Sequence, residues 1–423
     1  MRRRVLGIAL AALALAPATA DARERWDTRL LARVPEPGFP AHAYVHPNGR
    51  IYEGTYVNSN SSAPSRILEY AGDGTLLRSW TMTGQELNGE QGVQVATSDA
   101  LGRLVLLDHS PPRALLLDPA DGALRIYATF PEGAIPNYAA WGPGGELYVT
   151  DYAKNVVWRL PPGGGQPQLW LQDARLNTVE FGTTGIALAA DRHTLLIGQQ
   201  TSPAGGNPTA GAVFSVAIGS DGKPARLTRI WQSGAMDLPD GFAIARSGRI
   251  YVAALGPNQI VVLGPDGREQ ERFPQLPLQG DNGSGVPFDA LSSLAFRGTS
   301  LIAASQSNPQ ANPEHWAIHD VEVGEPGLPE LIPVNAGGSH TISLRVSPQR
   351  VPAGRRVRLR FLASVGDTAV AGALIRVAGR RVRTDDGGRA GLTIRFRRAG
   401  ARGVIADATG LTAGRATIRV RAA

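Results

Sequence analysis

One short pattern recurs six times between Ala41 and Ser305, a tight turn followed by a hydrophobic run of strand character. The six are Asn48-Gly49-Arg50-Ile51-Tyr52, Leu101-Gly102-Arg103-Leu104-Val105, Gly144-Gly145-Glu146-Leu147-Tyr148, Arg192-His193-Thr194-Leu195-Leu196, Ser247-Gly248-Arg249-Ile250-Tyr251 and Gly298-Thr299-Ser300-Leu301-Ile302. Their last residues are spaced by 53, 43, 48, 55 and 51 positions. An internal period of roughly 40–50 residues built from short strands describes a β-propeller, one period to a blade. The chain therefore reads as all-β, with a six-bladed propeller as its larger part.

A second marker recurs in step with the first. Asp73-Gly74, Asp121-Gly122, Asp221-Gly222 and Asp266-Gly267 each follow the hydrophobic run, as hairpin turns between the third and fourth strands of a blade would. Read as type I′ turns, they need positive φ at both residues. The third blade substitutes Gly163-Gly164-Gly165, and the sixth offers Glu325-Pro326-Gly327. The segment from Thr28 to Val34 is patterned like the fourth strand of other blades, for example Ala225 to Trp231. It is predicted to complete the sixth blade, joining the two ends of the ring and covering an open sheet edge. Glu330 to Val334 carries Pro333 and suits a sheet edge or a link.

The N-terminus has the form of an export signal over residues 1–22: Arg2-Arg3-Arg4, an apolar run from Val5 to Ala16, then small residues around Ala20. The apolar run is shorter than the roughly 20 residues of a membrane span, so no transmembrane segment is expected after cleavage. The three arginines fit either general or twin-arginine export. Expected localisation is secreted or envelope-associated. Cysteine is absent, so stability must come from core burial.

Composition changes after Asn335. Residues 338–423 hold 18 arginines and four aspartates with no lysine or glutamate, a net charge of +14 where the whole chain has +7. Residues 1–337 are therefore net acidic. Strict alternation in Arg356 to Phe361, Thr393 to Arg397 and Thr417 to Arg421 predicts antiparallel strands solvated on one face. The expected organisation is a propeller over 23–334, a linker over 335–340 and a small basic β-sandwich over 341–423. The run Arg383 to Ala390 resembles the turn of bacterial immunoglobulin-like modules, which makes an immunoglobulin-like sandwich the expectation for the tail. Such charge is expected to bind anionic cell-envelope polymer, more weakly as salt rises. An exported location and a sheet that needs a polar face argue against nucleic acid.

Ligands of a propeller bind at the channel mouth, where the inner strands begin. Counting eight residues back from each turn glycine gives Ala41, Gln94, Asn137, Asp240 and Ala290; Thr184 is the equivalent in the fourth blade, whose turn has no glycine. His42 adjoins the first of these. Glu53 falls, by its place in the pattern, toward the far end of its strand.

Pro239-Asp240-Gly241-Phe242 with Gly248-Arg249-Ile250-Tyr251-Val252 resembles the fifth blade of the senescence-marker-protein/gluconolactonase/luciferin-regenerating-enzyme family. Pro136-Asn137 before Gly145-Glu146-Leu147-Tyr148 resembles its third blade, and Thr184-Gly185-Ile186-Ala187-Leu188 its fourth. The resemblance implies a six-bladed propeller that hydrolyses lactones or related esters, with Ca2+ or Zn2+ held in the channel by a glutamate, two asparagines and an aspartate. Asn137 and Asp240 match. Thr184 replaces one asparagine and Ala41 the glutamate, so metal affinity should fall with the lost carboxylate. His42 would favour zinc. Asp240 is the residue suited to catalysis, and Gln94 and Ala290 line the wall. The expected function is a metal-assisted lactone or ester hydrolase with a degenerate metal site. The alternative is a non-catalytic propeller binding a carbohydrate or partner, tethered by its basic tail. Gly283-Ser284-Gly285 lacks the spacing of a nucleophile elbow, and His315 and His319 lie in a strand-like stretch unsuited to a helical zinc pair.

Overall fold

A computed structural model describes residues 23–57, 62–87, 91–178, 182–201, 210–307, 312–366 and 368–422. Residues 1–22, read above as an export signal, lie outside the described residues. Among those described, no helix is long and apolar enough to cross a membrane.

Six four-stranded blades form the larger body. The first is Phe39–Val45, Ile51–Val57, Arg66–Tyr70 and Leu76–Thr81; the second is Gln91–Ser98, Leu104–His109, Pro112–Leu117 and Leu124–Thr129. The third is Pro136–Trp141, Leu147–Asp151, Val156–Leu160 and Gln168–Gln172; the fourth is Thr183–Leu188, Thr194–Gln199, Ala210–Ala217 and Thr228–Ala235. The fifth is Pro239–Ile244, Ile250–Ala254, Gln259–Leu263 and Glu269–Phe273. In the sixth, Leu291–Arg297, Ser300–Ser305 and Ala317–Glu322 are completed by Thr28–Arg33 from the other end of the chain. All six repeat markers fall on second strands. Inner strands are buried on both faces, which is why they read as apolar runs rather than as alternation. Apolar side chains fill the spaces between blades, for example Tyr44, Tyr52, Ile67, Val93 and Leu106 between the first and second.

Ring closure is pinned by side chains as well as by strand pairing. Thr28 pairs with Val321 and Arg33 with Ala317. Just ahead, Trp26 stacks on Phe273 at 4.6 Å, Arg25 pairs with Glu271 at 2.8 Å and Arg23 with Asp320 at 2.7 Å. Because this strand fills the outer slot, Glu325-Pro326-Gly327 is not the hairpin of the sixth blade. It begins a link instead.

The Asp-Gly turns are where predicted but work differently. Gly74, Gly122, Gly222 and Gly267 have positive φ, whereas the aspartates before them do not. In the first blade Gly74 donates to the Ala71 carbonyl at 3.0 Å, and Asp73 Oδ1 accepts from the Thr75 amide at 3.0 Å. Only the glycine takes the left-handed conformation. The aspartate is selected for its carboxylate, and a register shift in the adjoining strands absorbs the extra residue.

The link from Pro326 runs across the mouth of the channel opposite to the strand heads. Gly327 bridges Ala245, and Leu328 donates to the Ile244 carbonyl at 2.8 Å. Farther on, the Glu330 carboxylate accepts from Tyr44 Oη at 3.1 Å and from Thr97. Asn335 Nδ2 then donates to the Gly144 carbonyl at 2.8 Å. The tail beyond is two sheets: Ser343–Ser347, Arg356–Val365, Thr368–Ala369 and Arg389–Arg395 in one, and Arg350–Pro352, Gly414–Arg421, Gly400–Asp407, Leu374–Val377 and Arg380–Arg383 in the other. Leu359, Phe361, Ile375, Val404 and Ile418 form their shared core. The same buried cluster continues through Ala336 and Ile342 into Val105, Trp141 and Leu147 of the propeller.

Candidate functional site

Every inner strand carries a register irregularity, which frees one or two residues from the ladder and turns them toward the channel. The irregularities lie between Pro40 and His42, Val95 and Thr97, Pro136 and Ala139, Thr183 and Ile186, Pro239 and Phe242, and Leu291 and Ser293. Ala41, Asn137, Thr184 and Asp240 therefore sit on equivalent bulges, as the eight-residue count placed them. Gln94 and Ala290 do not.

Both departures have physical causes. The second inner strand begins early because Gly92 and Gln91 pair with Tyr56 and Val57 of the first blade, a contact only glycine permits: a Cβ on Gly92 would lie 2.3 Å from the Tyr56 ring. Gln94 consequently stays in register with Leu107, and the bulge falls at Ala96. In the sixth blade Arg297 pairs with Ser300 across a two-residue turn, shorter than Ala245–Arg249 in the fifth, so the count overshoots. Ser292 holds the bulge, and Ala290 precedes the strand with its amide on Asn258 Oδ1 at 2.8 Å.

Asp240 is 9% exposed, and among the described residues no basic side chain shifts its carboxyl. Burial pushes its pKa up to about 8, against a smaller lowering from Tyr138. The phenol of Tyr138 reaches across the channel and donates to the Ser292 carbonyl at 3.0 Å. Burial and the neighbouring Asp240 hold Tyr138 well above its usual pKa. The edge of the His42 ring meets Tyr138, with centroids 4.9 Å apart at 79°. Desolvation lowers His42 to about 4, leaving it neutral, and among the described residues its Nδ1 has no hydrogen-bond partner. Asn137 Oδ1, also buried, has none either.

The remaining positions are structural. Thr184 is fully buried and its hydroxyl donates to the Pro239 carbonyl at 3.3 Å, stitching the fourth blade to the fifth. Ser292 Oγ donates to the Ala41 carbonyl at 2.8 Å and Thr150 Oγ1 to the Thr184 carbonyl at 2.7 Å, closing further seams. Gln94 Nε2 donates to Tyr56 Oη at 2.6 Å. Glu53 lies not at a far end but beneath the first bulge, where its Oε1 accepts from the amides of Ala41 at 2.9 Å and His42 at 3.2 Å. Burial raises it to about 8. Tyr138, Ser292 and Glu53 escape a motif search because each acts through a neighbour of the counted position. The one signal for Glu53 was a lone carboxylate inside an otherwise apolar second strand.

The donor chemistry suits a weakly held hard cation. Asp240 and Asn137 present buried oxygens with few or no partners, and Thr184 adds a hydroxyl, but Ala41 contributes nothing where a second carboxylate would strengthen the site. Among the described residues no group of three or more His, Cys, Asp or Glu gathers to hold a metal. On the other side of the His42–Tyr138 pair lies a cavity of about 630 Å³, walled by Trp141, Ile186, Leu188 and Phe242 and crossed by the link at Leu328 to Ile332. Its lining excludes Asp240, Asn137 and Thr184. His42 and Tyr138 belong to the lining of this cavity.

No protein-family model and no curated protein sequence matches the chain. Solved structures do. A gluconolactonase from Xanthomonas campestris is similar at 18% identity and TM-score 0.51, over 71% of this chain and 91% of that one. The calcium-binding protein regucalcin from Agrobacterium tumefaciens is similar at 15% identity and TM-score 0.50, over 72% and 98%. Virginiamycin B lyase from Staphylococcus aureus is similar at 14% identity and TM-score 0.47, over 70% and 99%. The first two of these likenesses show the fold. In fold, the chain is a β-propeller of the gluconolactonase and regucalcin type.

Proposed function

We propose that the channel mouth at the inner-strand heads binds a lactone or related ester and hydrolyses it, with Asp240 as the general acid–base residue. The observation that carries this reading is a carboxyl on the fifth bulge, buried, without a cationic partner, and raised to about 8. A proton-transfer group works best when its pKa lies near the working pH. In this reading Tyr138 orients the carboxyl, Asn137 Oδ1 accepts from the incoming substrate or water, and His42 closes the floor of the site against the second cavity. Ca2+ or Zn2+, when bound by Asp240, Asn137 and Thr184, supplies Lewis-acid polarisation of the carbonyl. Export, read from residues 1–22, sets this activity outside the cytoplasm.

The missing first-blade carboxylate favours a second reading, a channel that binds a neutral sugar or related ligand without turnover. One experiment separates the two. Purified protein is assayed against a lactone panel from pH 6 to 9, with chelator or with added calcium, zinc, manganese or magnesium, beside Asp240→Asn and Asn137→Ala. Hydrolysis by wild type should rise through pH 8, and Asp240→Asn should lose about 100-fold or more. Ligand-induced stabilisation without hydrolysis supports the second reading, and indifference of both activity and binding to Asp240→Asn sinks both.

A further inference from the structure

One sheet face of the tail carries six of its 18 arginines. In antiparallel pairs, residues directly opposite share a face. In the sheet of Ser343–Ser347, Arg356–Val365 and Arg389–Arg395, Leu362 stands between Arg345 and Arg389, Arg360 between Ser347 and Gly391, Arg358 opposite Thr393, and Arg356 opposite Arg395. All six arginines are exposed, while Val346, Leu359, Phe361 and Ile394 on the reverse face are buried. Like charges directly opposite one another, as at Arg356 and Arg395, destabilise a sheet. Among the described residues, the ion pair found in the tail, Arg376 with Asp407, joins strands of the other sheet.

The face is also concave. Gly391 puts no side chain beside Arg360, and a groove of about 850 Å³ runs there, lined by Arg345, Arg358, Arg360, Arg383 and Arg389 together with Asp385. Asp385 is engaged in its own turn, accepting from the amides of Gly387 at 3.0 Å and Arg389 at 2.8 Å. Five arginines against one aspartate leave the groove net positive among the described residues.

We propose that this groove binds an acidic polysaccharide through its carboxylates. Alternate residues along a strand stand roughly 6.5–7 Å apart, so Arg358 and Arg360 call for anionic groups that recur along a chain rather than for a single ion. The planar guanidinium fork matches a carboxylate bidentately. A nucleic acid would need stacking surfaces, yet the only aromatic rings of the tail, Phe361 and Phe396, are 2% and 3% exposed. Membrane docking would need an apolar wedge, and every exposed large hydrophobic residue lies in the propeller. The proposal is independent of what happens in the channel.

Binding of the full mature chain to polygalacturonate tests it, measured across a salt series. Two triple variants of equal charge are compared: Arg358→Ser/Arg360→Ser/Arg389→Ser in the groove, and Arg380→Ser/Arg397→Ser/Arg415→Ser outside it. The groove variant should bind about tenfold more weakly and show a shallower salt dependence, while the outside variant stays within about twofold of wild type. All six positions are exposed, and matching thermal midpoints would confirm that both variants fold. Equal losses in the two variants, no binding by wild type, or tighter binding to a single-stranded oligonucleotide or to phosphatidylglycerol vesicles would each overturn the proposal.

Discussion

Asp240 and Glu53 are carboxyls raised to about 8 by burial, and each is favoured in its neutral form in the folded chain. Their unfolded counterparts ionise near pH 4, so between about pH 4 and 8 the folded state binds more protons. Stability then falls as pH rises through that interval. His42, His109 and His319, all lowered to about 4, act in the opposite sense, but only below about 6.5. The clearer window is therefore pH 6.5 to 8, where Asp240 and Glu53 act in the same sense as Glu330, which burial raises to about 7. Thermal midpoints should decline there by on the order of a few degrees, and Glu53→Gln, which keeps the acceptor for Ala41 and His42, should flatten the slope. A midpoint that holds or rises across the window would show that these carboxyls are already ionised. A cation at Asp240 should oppose the decline, and that reversal should vanish in Asp240→Asn.

At the scale of elements, the closing strand carries the most weight for its length. Removing residues 23–34 strips the pairing from Ala317–Glu322 together with the Trp26 stack and the Arg23 and Arg25 ion pairs. At about 1 kcal/mol for each ladder hydrogen bond, the loss is on the order of 5 kcal/mol before the apolar contacts are counted. The expected outcome is a sharply lower midpoint and self-association through the bared edge, read by scanning calorimetry and size exclusion; a truncated chain as stable as the parent would refute the latch. This strand, the six second strands and the hairpin positions of the first five blades were legible in sequence because each is a local pattern that repeats. The bulges were legible only where blades share a common turn length. Gln94 and Ala290 departed because Gly92 and the Gly298-Thr299 turn alter local geometry without disturbing the hydrophobic pattern. Tyr138 could not be read at all, since its role depends on reaching Ser292 from another blade.

Across the whole molecule, the acidic body and basic tail that composition separates are joined by a continuous apolar core. Ala336 and Ile342 are 0% and 2% exposed and belong to one cluster with Trp141 of the propeller and Phe361 of the tail. Ending the chain after Val334 keeps the link across the channel but uncovers this seam. With about 1.5–3 kcal/mol for each large apolar side chain buried, and about 2–4 °C per kcal/mol, the propeller midpoint should drop by roughly 5–10 °C. Calorimetry of the full chain should show one transition; two, with the truncated propeller matching one of them, would mean the seam transmits nothing.

The pairing of Thr28 with Val321 also sets a timetable. During synthesis the strand Thr28–Arg33 waits for a partner until five blades and most of a sixth have left the ribosome. Blades can collapse one by one, yet the ring stays an open arc, and the contact that completes it has nearly the greatest sequence separation in the propeller. Such closure is slow on topological grounds. An unfinished chain therefore exposes one adhesive edge at each end, and crowded or slowed synthesis would be expected to yield rings closed by a neighbour's first strand.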